Sequence, residues 1–256
     1  MLAEVPAASR EALRPLFADC PGWHGVIEAV LSGAMGHAFA DNLDSPSVAL
    51  LKLGFDHFPA GRPDSNCIGT VMRALPPSCF LVVPESWNEP LERDYGDFLS
   101  PTGRASFGSA PSDRWKLRSF LDGLPADFNL QRITAANVGR FAALDDSFVR
   151  NYGTHERFLS EGIGFGIEYA GRFVSGSSSY ASGGGKLEME VDTHPDFRRQ
   201  GLASASAAAV ILDCLENGIE PCWDAANEAS ARLAAKLGFS KAHPYTAYMV
   251  HPVPAS

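Results

Sequence analysis

A basic turn at residues 198–203 has the composition of a phosphate-binding site. Before it, residues 187–191 alternate apolar and acidic side chains, which is typical of a half-buried strand. After it, residues 202–215 are rich in alanine and free of Gly and Pro, which predicts a helix. The first amides of a helix lack intrahelical partners and bind anions, and Gly201 leaves room for one. Because Arg198 adds positive charge, we expect a phosphate-bearing ligand.

Motif spacing narrows the kind of phosphate ligand. The sequence has neither a Walker G-x-x-x-x-G-K-[ST] cradle nor a G-x-G-x-x-G dinucleotide fingerprint after a strand. The turn itself reads Arg198-x-x-Gly201-x-Ala203, which resembles the pyrophosphate loop [RQ]-x-x-G-x-[GA] of the GNAT acetyltransferase superfamily. Downstream, Asn227 and the KLGF segment at 236–239 are similar to the superfamily's last helix and the turn after it.

Three segments in the last third of the chain resemble a narrower branch of that superfamily. Glu188, the PCWDAAN segment at 221–227 and the LAAKLGF segment at 233–239 are similar to the branch that includes zwittermicin A resistance acetyltransferases. The resemblance implies an α/β (α+β) GNAT fold, in which helices flank a mixed, mostly antiparallel sheet. It also implies an N-terminal degenerate GNAT-like domain, acetyl-CoA as cosubstrate and no metal.

The resemblance further implies which residues hold the acetyl donor. In such a fold the central strand splays from its neighbour and bonds the pantetheine arm, while the turn amides bind the pyrophosphate. An alternative for Arg198 and Arg199 is a solvated surface pair, and the structural alternative for Asn227 is a helix N-cap. The predicted cofactor-binding residues are Met189, Val191, Arg198, Arg199, Gln200, Gly201, Leu202, Ala203, Asn227 and Ser230.

Three acids, Glu188, Glu190 and Asp192, share one face of the central strand because side chains alternate along it. Acids grouped on one face resist burial unless a cation meets them. One hypothesis is that Glu188 or Glu190 helps to deprotonate an amine, directly or through a water. The alternative is an acidic rim exposed to solvent. The resemblance favours Glu188, because the related branch has a glutamate there.

The general acid is the point at which this sequence departs from the superfamily. The common pattern has a tyrosine four residues before the glycine of the G-F pair, and this chain has Ala234 there. Either another group supplies the proton or none is needed, because a thiolate with a pKa of about 8.5 is a tolerable leaving group. Tyr245 and Tyr248 are the candidate replacements, with a core or rim position as the alternative.

The second half of the chain contains the order of elements that a GNAT fold requires. A strand is predicted at 130–133, and Thr134 is the predicted N-cap of a helix at 135–144. A short helix at 155–161 and a hairpin at 164–180 precede the central strand.

The first half has weaker local sequence signals and is predicted to be a separate mixed α/β domain. Pro-containing breaks near 100–128 put the domain boundary at 125, which divides the chain into 1–125 and 126–256. The predicted elements are helices at 9–17 and 26–32, strands at 36–39, 47–55 and 79–84, and a strand-like segment at 115–120.

Composition limits the class of protein. The 256 residues carry a net charge of −9, which disfavours a nucleic-acid partner. Five cysteines without a C-x-x-C pair, and histidines without ligand spacing, disfavour a disulfide framework or a metal site. Without a visible signal peptide or an apolar run of about 18 residues, a cytoplasmic protein with no membrane partner is expected.

The sequence therefore predicts an acetyl-CoA-dependent N-acetyltransferase that acts on a small amine by direct attack in a ternary complex. The alternative is a non-catalytic acyl-CoA-binding sensor, for which Ala234 is the argument. The acceptor is not identified, and a homodimer remains open.

Overall fold

Twelve strands form one sheet in the computed structural model, which describes residues 2–252. The strands are β1 (Ala3–Glu4), β2 (His37–Ala40), β3 (Val48–Leu53), β4 (Asp56–Gly61), β5 (Cys79–Val82), β6 (Leu99–Ser109), β7 (Asn129–Arg132), β8 (Gly164–Tyr169), β9 (Arg172–Gly183), β10 (Lys186–Thr193), β11 (Glu220–Ala225) and β12 (Ser240–Val250). The α-helices are α1 (His24–Leu31), α2 (Ser65–Met72), α3 (Asn88–Tyr95), α4 (Arg114–Asp122), α5 (Val138–Ala142), α6 (His155–Glu161), α7 (Leu202–Glu216) and α8 (Glu228–Leu237). Short 3-10 segments lie at Ala7–Phe17, Glu85–Trp87, Gly96–Phe98, Asp146–Phe148, Arg150–Tyr152 and Pro195–Phe197.

The sheet is mixed and mostly antiparallel. Its strand order is β1-β2-β3-β4-β5-β12-β6-β11-β10-β9-β8-β7. Two neighbouring pairs, β4 with β5 and β10 with β11, are parallel, and the other pairs are antiparallel. Each parallel pair is joined by a helix, α2 or α7, as a parallel connection requires. The predicted fold class, a mixed sheet flanked by helices, is confirmed.

The two halves of the chain repeat one topology. Each half contains the same elements in the same order: a first strand, helical segments, three antiparallel strands, a crossover helix, a parallel strand, a further helix and a last strand. The last strands are exchanged, because β12 pairs with β5 of the first half and β6 pairs with β11 of the second. This repeat supports the predicted two-domain division at residue 125, which stays a prediction.

The long helix α7 is buried along most of its length. Its alanines allow close approach to the sheet and to α4, and Ala207, Ala208 and Ile211 are fully buried. Leu187 of β10 packs on its other side against Val210. Small side chains on both faces are what a helix needs when it lies between two layers. These contacts fix the middle of α7 against β10.

Two local predictions are wrong. The segment at 115–120, predicted as a strand, is the middle of α4. Asp113 caps that helix, and Leu117 is fully buried against α7, so helical spacing decides the structure. Thr134 is not an N-cap, because the Asn137 side chain accepts the Thr134 amide over 2.7 Å and delays the start of α5.

The turn before α2 differs from the turn before α7. The Asp64 side chain caps α2 by accepting from the Cys67 amide over 2.8 Å. The fully buried Trp87 donates from Nε1 to the Gly61 carbonyl over 3.1 Å. A carboxylate at a helix start disfavours a second anion there. The first half therefore does not repeat the anion-binding character predicted for residues 198–203.

Candidate functional site

The central strands β10 and β11 separate beyond their first residues. Their parallel pairing ends at Glu188 and Cys222. From Trp223 onward, β11 pairs with β6 on its other side. The divergence opens a groove between β10 and β11 on the side of the sheet where α7 and α8 begin. This is the splay that the resemblance predicted.

The turn before α7 is open and left-handed. Arg199 has φ +64° and Gly201 has φ +84°, so a residue without a side chain is favoured at the helix start. A Cβ built on Gly201 meets no described atom within 4 Å. Arg198 Nε donates to the Thr193 carbonyl over 2.9 Å, which ties the turn to the end of β10. There is therefore open space beside Gly201, and the first residues of α7 line it.

A groove of about 550 Å³ runs from this turn along β10 and is called the turn groove here. Lys236, which the motif contained but sequence reasoning did not assign, reaches it and donates to Ser204 Oγ over 3.0 Å. Asn227 caps α8 by accepting the Ser230 amide over 3.0 Å, so its predicted structural role is confirmed. The predicted residues that line the turn groove are Val191, Arg198, Arg199, Gly201, Leu202, Ala203, Asn227 and Ser230.

A second cavity of about 280 Å³ adjoins the turn groove and is called the carboxylate cavity, after its acids Asp56, Glu188, Glu190 and Asp224. The groove and the cavity share Val191, Trp223 and Ser230 in their walls. Trp223 Nε1 donates to Ser230 Oγ over 3.1 Å, so this shared wall is fixed. Met189 also lines the cavity, whereas the exposed Gln200 lies outside the walls described for either space.

Glu188 has the lowest exposure of the four acids when the whole residue, backbone included, is measured. It is 2 % exposed, and its Oε2 accepts the amide of Gly25 at the start of α1 over 3.0 Å. Burial raises the pKa of its carboxyl to about 8, and the nearby carboxylate of Asp224 acts in the same direction. The Gly25 and Val26 amides oppose that rise in pKa. The hypothesis of a solvent-exposed acidic rim is thus wrong for Glu188.

Glu190 lies one pleat further along β10. Burial raises the pKa of its carboxyl to about 7, with a smaller contribution from the negative charge of Asp145. Its Oε1 accepts the amide of Val191 over 3.2 Å. Two carboxyls with pKa values near neutrality therefore line one cavity, which suits them to exchange protons with an amine at neutral pH.

Asp224 belongs to a buried ion pair. Its side chain is 2 % exposed, and Oδ1 accepts from Arg104 Nε over 2.5 Å. Tyr245 donates its hydroxyl to Oδ2 over 2.7 Å, so this candidate acid lies behind Asp224 rather than in the cavity wall. Burial raises the pKa of Asp224, and Arg104 opposes the rise. The guanidinium of Arg104 also stacks 4.9 Å from the ring centroid of Trp23.

The other predicted tyrosine lies elsewhere. Tyr248 is fully buried, and its hydroxyl donates to Glu92 Oε1 over 2.7 Å in the core under α3. Ala234, at the usual tyrosine position, is fully buried in the core beside α7. The structure thus brings Glu188 and Glu190 into one cavity with Asp224, which Tyr245 contacts from behind, and separates Tyr248 from them.

Sequence reasoning missed much of the wall of the carboxylate cavity, most of it supplied by the first half of the chain. The missed residues include Tyr180 of β9, which is the extra residue of a β-bulge opposite Glu188 and Met189 and donates its hydroxyl to Asp56. The one available signal was the Pro-Gly-Trp-His-Gly segment at 21–25, whose glycines lie against β10 and β11. The missed wall residues are Trp23, Phe55, Asp56, Phe80, Arg104, Arg150 and Tyr180.

Across residues 2–252, no helix is both long and apolar enough to span a membrane, and no cluster of three metal-ligating side chains occurs. A family model described as GNAT acetyltransferase matches residues 14–248. The Bacillus subtilis (strain 168) protein YdfB, described as an uncharacterized N-acetyltransferase, is 32 % identical over 167 residues. That match covers 64 % of this chain and 62 % of YdfB, less than two thirds of the relative's length.

Two solved structures resemble the whole chain. A GCN5-related N-acetyltransferase-like protein from Streptococcus suis 89/1591 is 33 % identical with a TM-score of 0.81, over 96 % of this chain and 100 % of that one. A tandem GNAT protein from the clavulanic acid biosynthesis pathway has a TM-score of 0.61 over 100 % and 99 % of the two chains; at 10 % identity it shows the fold alone. From the family match and the Streptococcus suis relative together, the chain belongs to the GNAT acetyltransferase family.

Proposed function

We propose that the protein is an N-acetyltransferase that transfers the acetyl group of acetyl-CoA to a primary amine of a small molecule. The observation that carries this proposal is that the turn groove and the carboxylate cavity adjoin, with Val191, Trp223 and Ser230 in the walls of both. One space suits a phosphate-bearing donor and the other suits an amine. A thioester at the shared wall would meet an amine there, which fits direct attack in a ternary complex.

Donor binding follows from the open helix start. The amides that precede and begin α7, with the partial positive charge of the helix, would hold the pyrophosphate, and Gly201 leaves the approach open. Arg199 and Lys236 add positive charge around the turn groove. The backbone of β10 beyond Glu188, where pairing with β11 ends, is free to bond the pantetheine arm and polarise the thioester carbonyl.

Proton transfer is assigned to the carboxylate cavity. An ammonium group has to lose a proton before it attacks, and Glu188 or Glu190 is tuned to accept one near neutral pH. The leaving thiolate is tolerable without a protein acid because its pKa is about 8.5. Ser230 Oγ, which already accepts from Trp223, keeps its own hydroxyl proton to donate toward the sulfur.

Calorimetric titration with acetyl-CoA tests the proposal. We expect binding by the unmodified chain and its loss in Gly201→Glu, which places a carboxylate against the proposed phosphates. The matched control is Gly218→Glu at the other end of α7, where φ is +69° and an added Cβ also meets no described atom within 4 Å. No binding by the unmodified chain at millimolar ligand, or equal loss in both variants, would overturn the proposal.

A non-catalytic acyl-CoA sensor is the second candidate, and the alanine at position 234 is the observation that favours it. Free thiol release across a panel of amines separates the two, since a sensor binds without turnover. The resemblance to the zwittermicin A resistance branch adds zwittermicin A to that panel. We propose a cytoplasmic enzyme that acts without nucleic acid or membrane; a homodimer remains open.

A further inference from the structure

A cavity of about 660 Å³ lies in the first half of the chain, on the side of the sheet where α2 packs, and is called the first-half cavity here. Side chains alternate along β4, so Asp56 lines the carboxylate cavity and His57 lines the first-half cavity on the opposite face. The two spaces are therefore separate. The wall of the first-half cavity includes Phe39, Leu50, Lys52, His57, Arg73 and Leu75.

The first-half cavity is open because α2 is short. The helix has 8 residues, whereas its counterpart α7 has 15, and the difference corresponds to about 10 Å of helix. The longer helix packs on three strands, β8, β9 and β10, whereas α2 packs mainly on β3. The apolar side chains beyond the end of α2 are therefore not fully covered, and Phe39 and Leu75 remain only partly buried.

Lys52 brings a positive charge into this cavity and forms no ion pair with a carboxylate among residues 2–252. It is half-buried on β3, opposite His37 of β2 and His57 of β4. The acid of β1, Glu4, bonds His37 over 2.7 Å rather than Lys52. Burial lowers the pKa of His57 to about 4, and the charge of Lys52 acts in the same direction, so His57 is neutral at pH 7. Lys52 is thus the charged group on this part of the cavity wall.

Arg73 adds a second cation at the rim of the first-half cavity. Its side chain is exposed and bonds Thr70 Oγ1 over 3.4 Å. Among the described residues that line this cavity there is no Asp or Glu. In a chain with a net charge of −9, this wall therefore carries positive charge alone and attracts anions.

We infer that the first-half cavity is a binding site for a free carboxylate with a medium-length apolar chain, separate from the spaces assigned to acetyl-CoA and the amine. The carboxylate would pair with Lys52, and the apolar chain would lie on Phe39, Leu50 and Leu75. Small-molecule sites combine an apolar lining with a few polar groups in a volume of about 300–1,000 Å³, which fits this cavity. Because the half-buried Lys52 lies in a concave wall, a small ligand suits the site better than a protein surface.

Calorimetric titration with octanoate and 1-octanol tests this inference, because the two probes share an apolar chain and differ in the charge. We expect octanoate to bind the unmodified chain about tenfold more tightly than 1-octanol. Lys52→Met removes the charge and keeps an apolar side chain, so it should weaken octanoate binding about tenfold and leave 1-octanol unaffected. Lys116→Met, at an exposed residue of α4, is the control and should change neither.

Two further measurements locate the binding. Ala74→Trp, at an exposed residue that lines the first-half cavity, adds a large side chain there and should weaken both probes. Saturating CoA should leave octanoate binding unchanged, and so should Gly201→Glu, because the turn groove is a different space.

The outcomes separate this inference from the proposed function. No octanoate binding at millimolar ligand, or binding that Lys52→Met and Ala74→Trp leave intact, overturns the inference. Octanoate that CoA displaces lies in the turn groove, which overturns it as well. Self-association of the chain that Lys52→Met reduces, without octanoate binding, assigns this face to a second copy instead. Absence of acetyl-CoA binding overturns the proposed function alone.

Discussion

The Gly25 amide donates a hydrogen bond to the Glu188 carboxylate over 3.0 Å, although 163 residues separate them in the chain. A Cβ built on Gly25 would lie 2.4 Å from the Glu188 nitrogen, so the backbones of α1 and β10 touch. At the other end of α1, Arg10 donates to the Val30 carbonyl over 3.2 Å. An acid at its start and a cation at its end match the helix dipole. The first half of the chain thereby fixes the position of Glu188.

Gly25→Ala should damage both stability and the site. The added methyl would clash with backbone atoms, and overpacking of that kind costs about 1–3 kcal/mol of unfolding free energy. Gly139→Ala is the matched control, because Gly139 is also helical and its added Cβ meets no described atom within 4 Å. Urea unfolding and thiol release measure the two effects. Equal behaviour of the two variants would contradict the close contact between α1 and β10.

The rate of acetyl transfer should rise with pH between about 6 and 9. The base form of a cavity carboxyl is needed, and the pKa values raised to about 8 at Glu188 and about 7 at Glu190 place that change in this window. Glu188→Gln should lower kcat/KM about 100-fold and remove the rising limb. Glu190→Gln should leave the rise of kcat/KM with pH in place. A limb that survives in Glu188→Gln would contradict the role assigned to Glu188.

Stability should fall as pH rises from about 4.5 to 8. Folding raises the pKa of Glu188 from 4.5 to about 8, so between these values the folded chain keeps a proton that the unfolded chain releases. Each unit of that difference corresponds to about 1.4 kcal/mol. Glu188→Gln should flatten the decline in urea unfolding between pH 5 and 8. Glu228→Gln, at a side chain 84 % exposed, should leave it unchanged; flattening in both would contradict the assignment.

Strong local signals made the second half predictable. The helix at 155–161 and the alanine-rich helix from Leu202 are confirmed to within one residue. The hairpin at 164–180 is confirmed with its turn at Ala170 and Gly171, both of which have positive φ. In each case the turn or capping residue and the periodicity agree, so tertiary contacts did not have to decide the structure.

The cavity wall was not predictable, because it depends on contacts between distant segments. Trp23 and Asp56 lie near the site only because β12 crosses to β5 and α1 packs on β10. No local pattern encodes that exchange of strands. The repeated topology was expected only from the family resemblance and has no local pattern of its own, since the two halves use different turns at Asp64 and Gly201.

Tyr248→Phe should leave turnover within about twofold of the unmodified chain while lowering stability by about 1 kcal/mol. Its hydroxyl bonds Asn88 and Glu92 in the core rather than a group in the carboxylate cavity. Tyr245→Phe removes a partner of Asp224 and should lower turnover more. Thiol-release kinetics and thermal unfolding on both variants distinguish these expectations. A larger loss of turnover in Tyr248→Phe would restore Tyr248 as the candidate acid.

Breaking the Arg104–Asp224 pair should destabilise the protein far more than breaking an exposed pair. Arg104→Met leaves the carboxylate of Asp224, which is 2 % exposed, without its cation, and loss of one partner of a buried pair costs about 3–5 kcal/mol. Arg118→Met is the control, because Arg118 and Glu216 are 3.9 Å apart and both more than half exposed, a kind of pair worth about 0–1 kcal/mol. Urea unfolding at pH 7 measures both losses.

The loss in Arg104→Met should also depend on pH. Because burial raises the pKa of Asp224, the unpaired acid should take up a proton at lower pH, so the loss of stability in Arg104→Met should shrink toward pH 5. A loss that is small at every pH would show that the pair is not what holds β6 against β11.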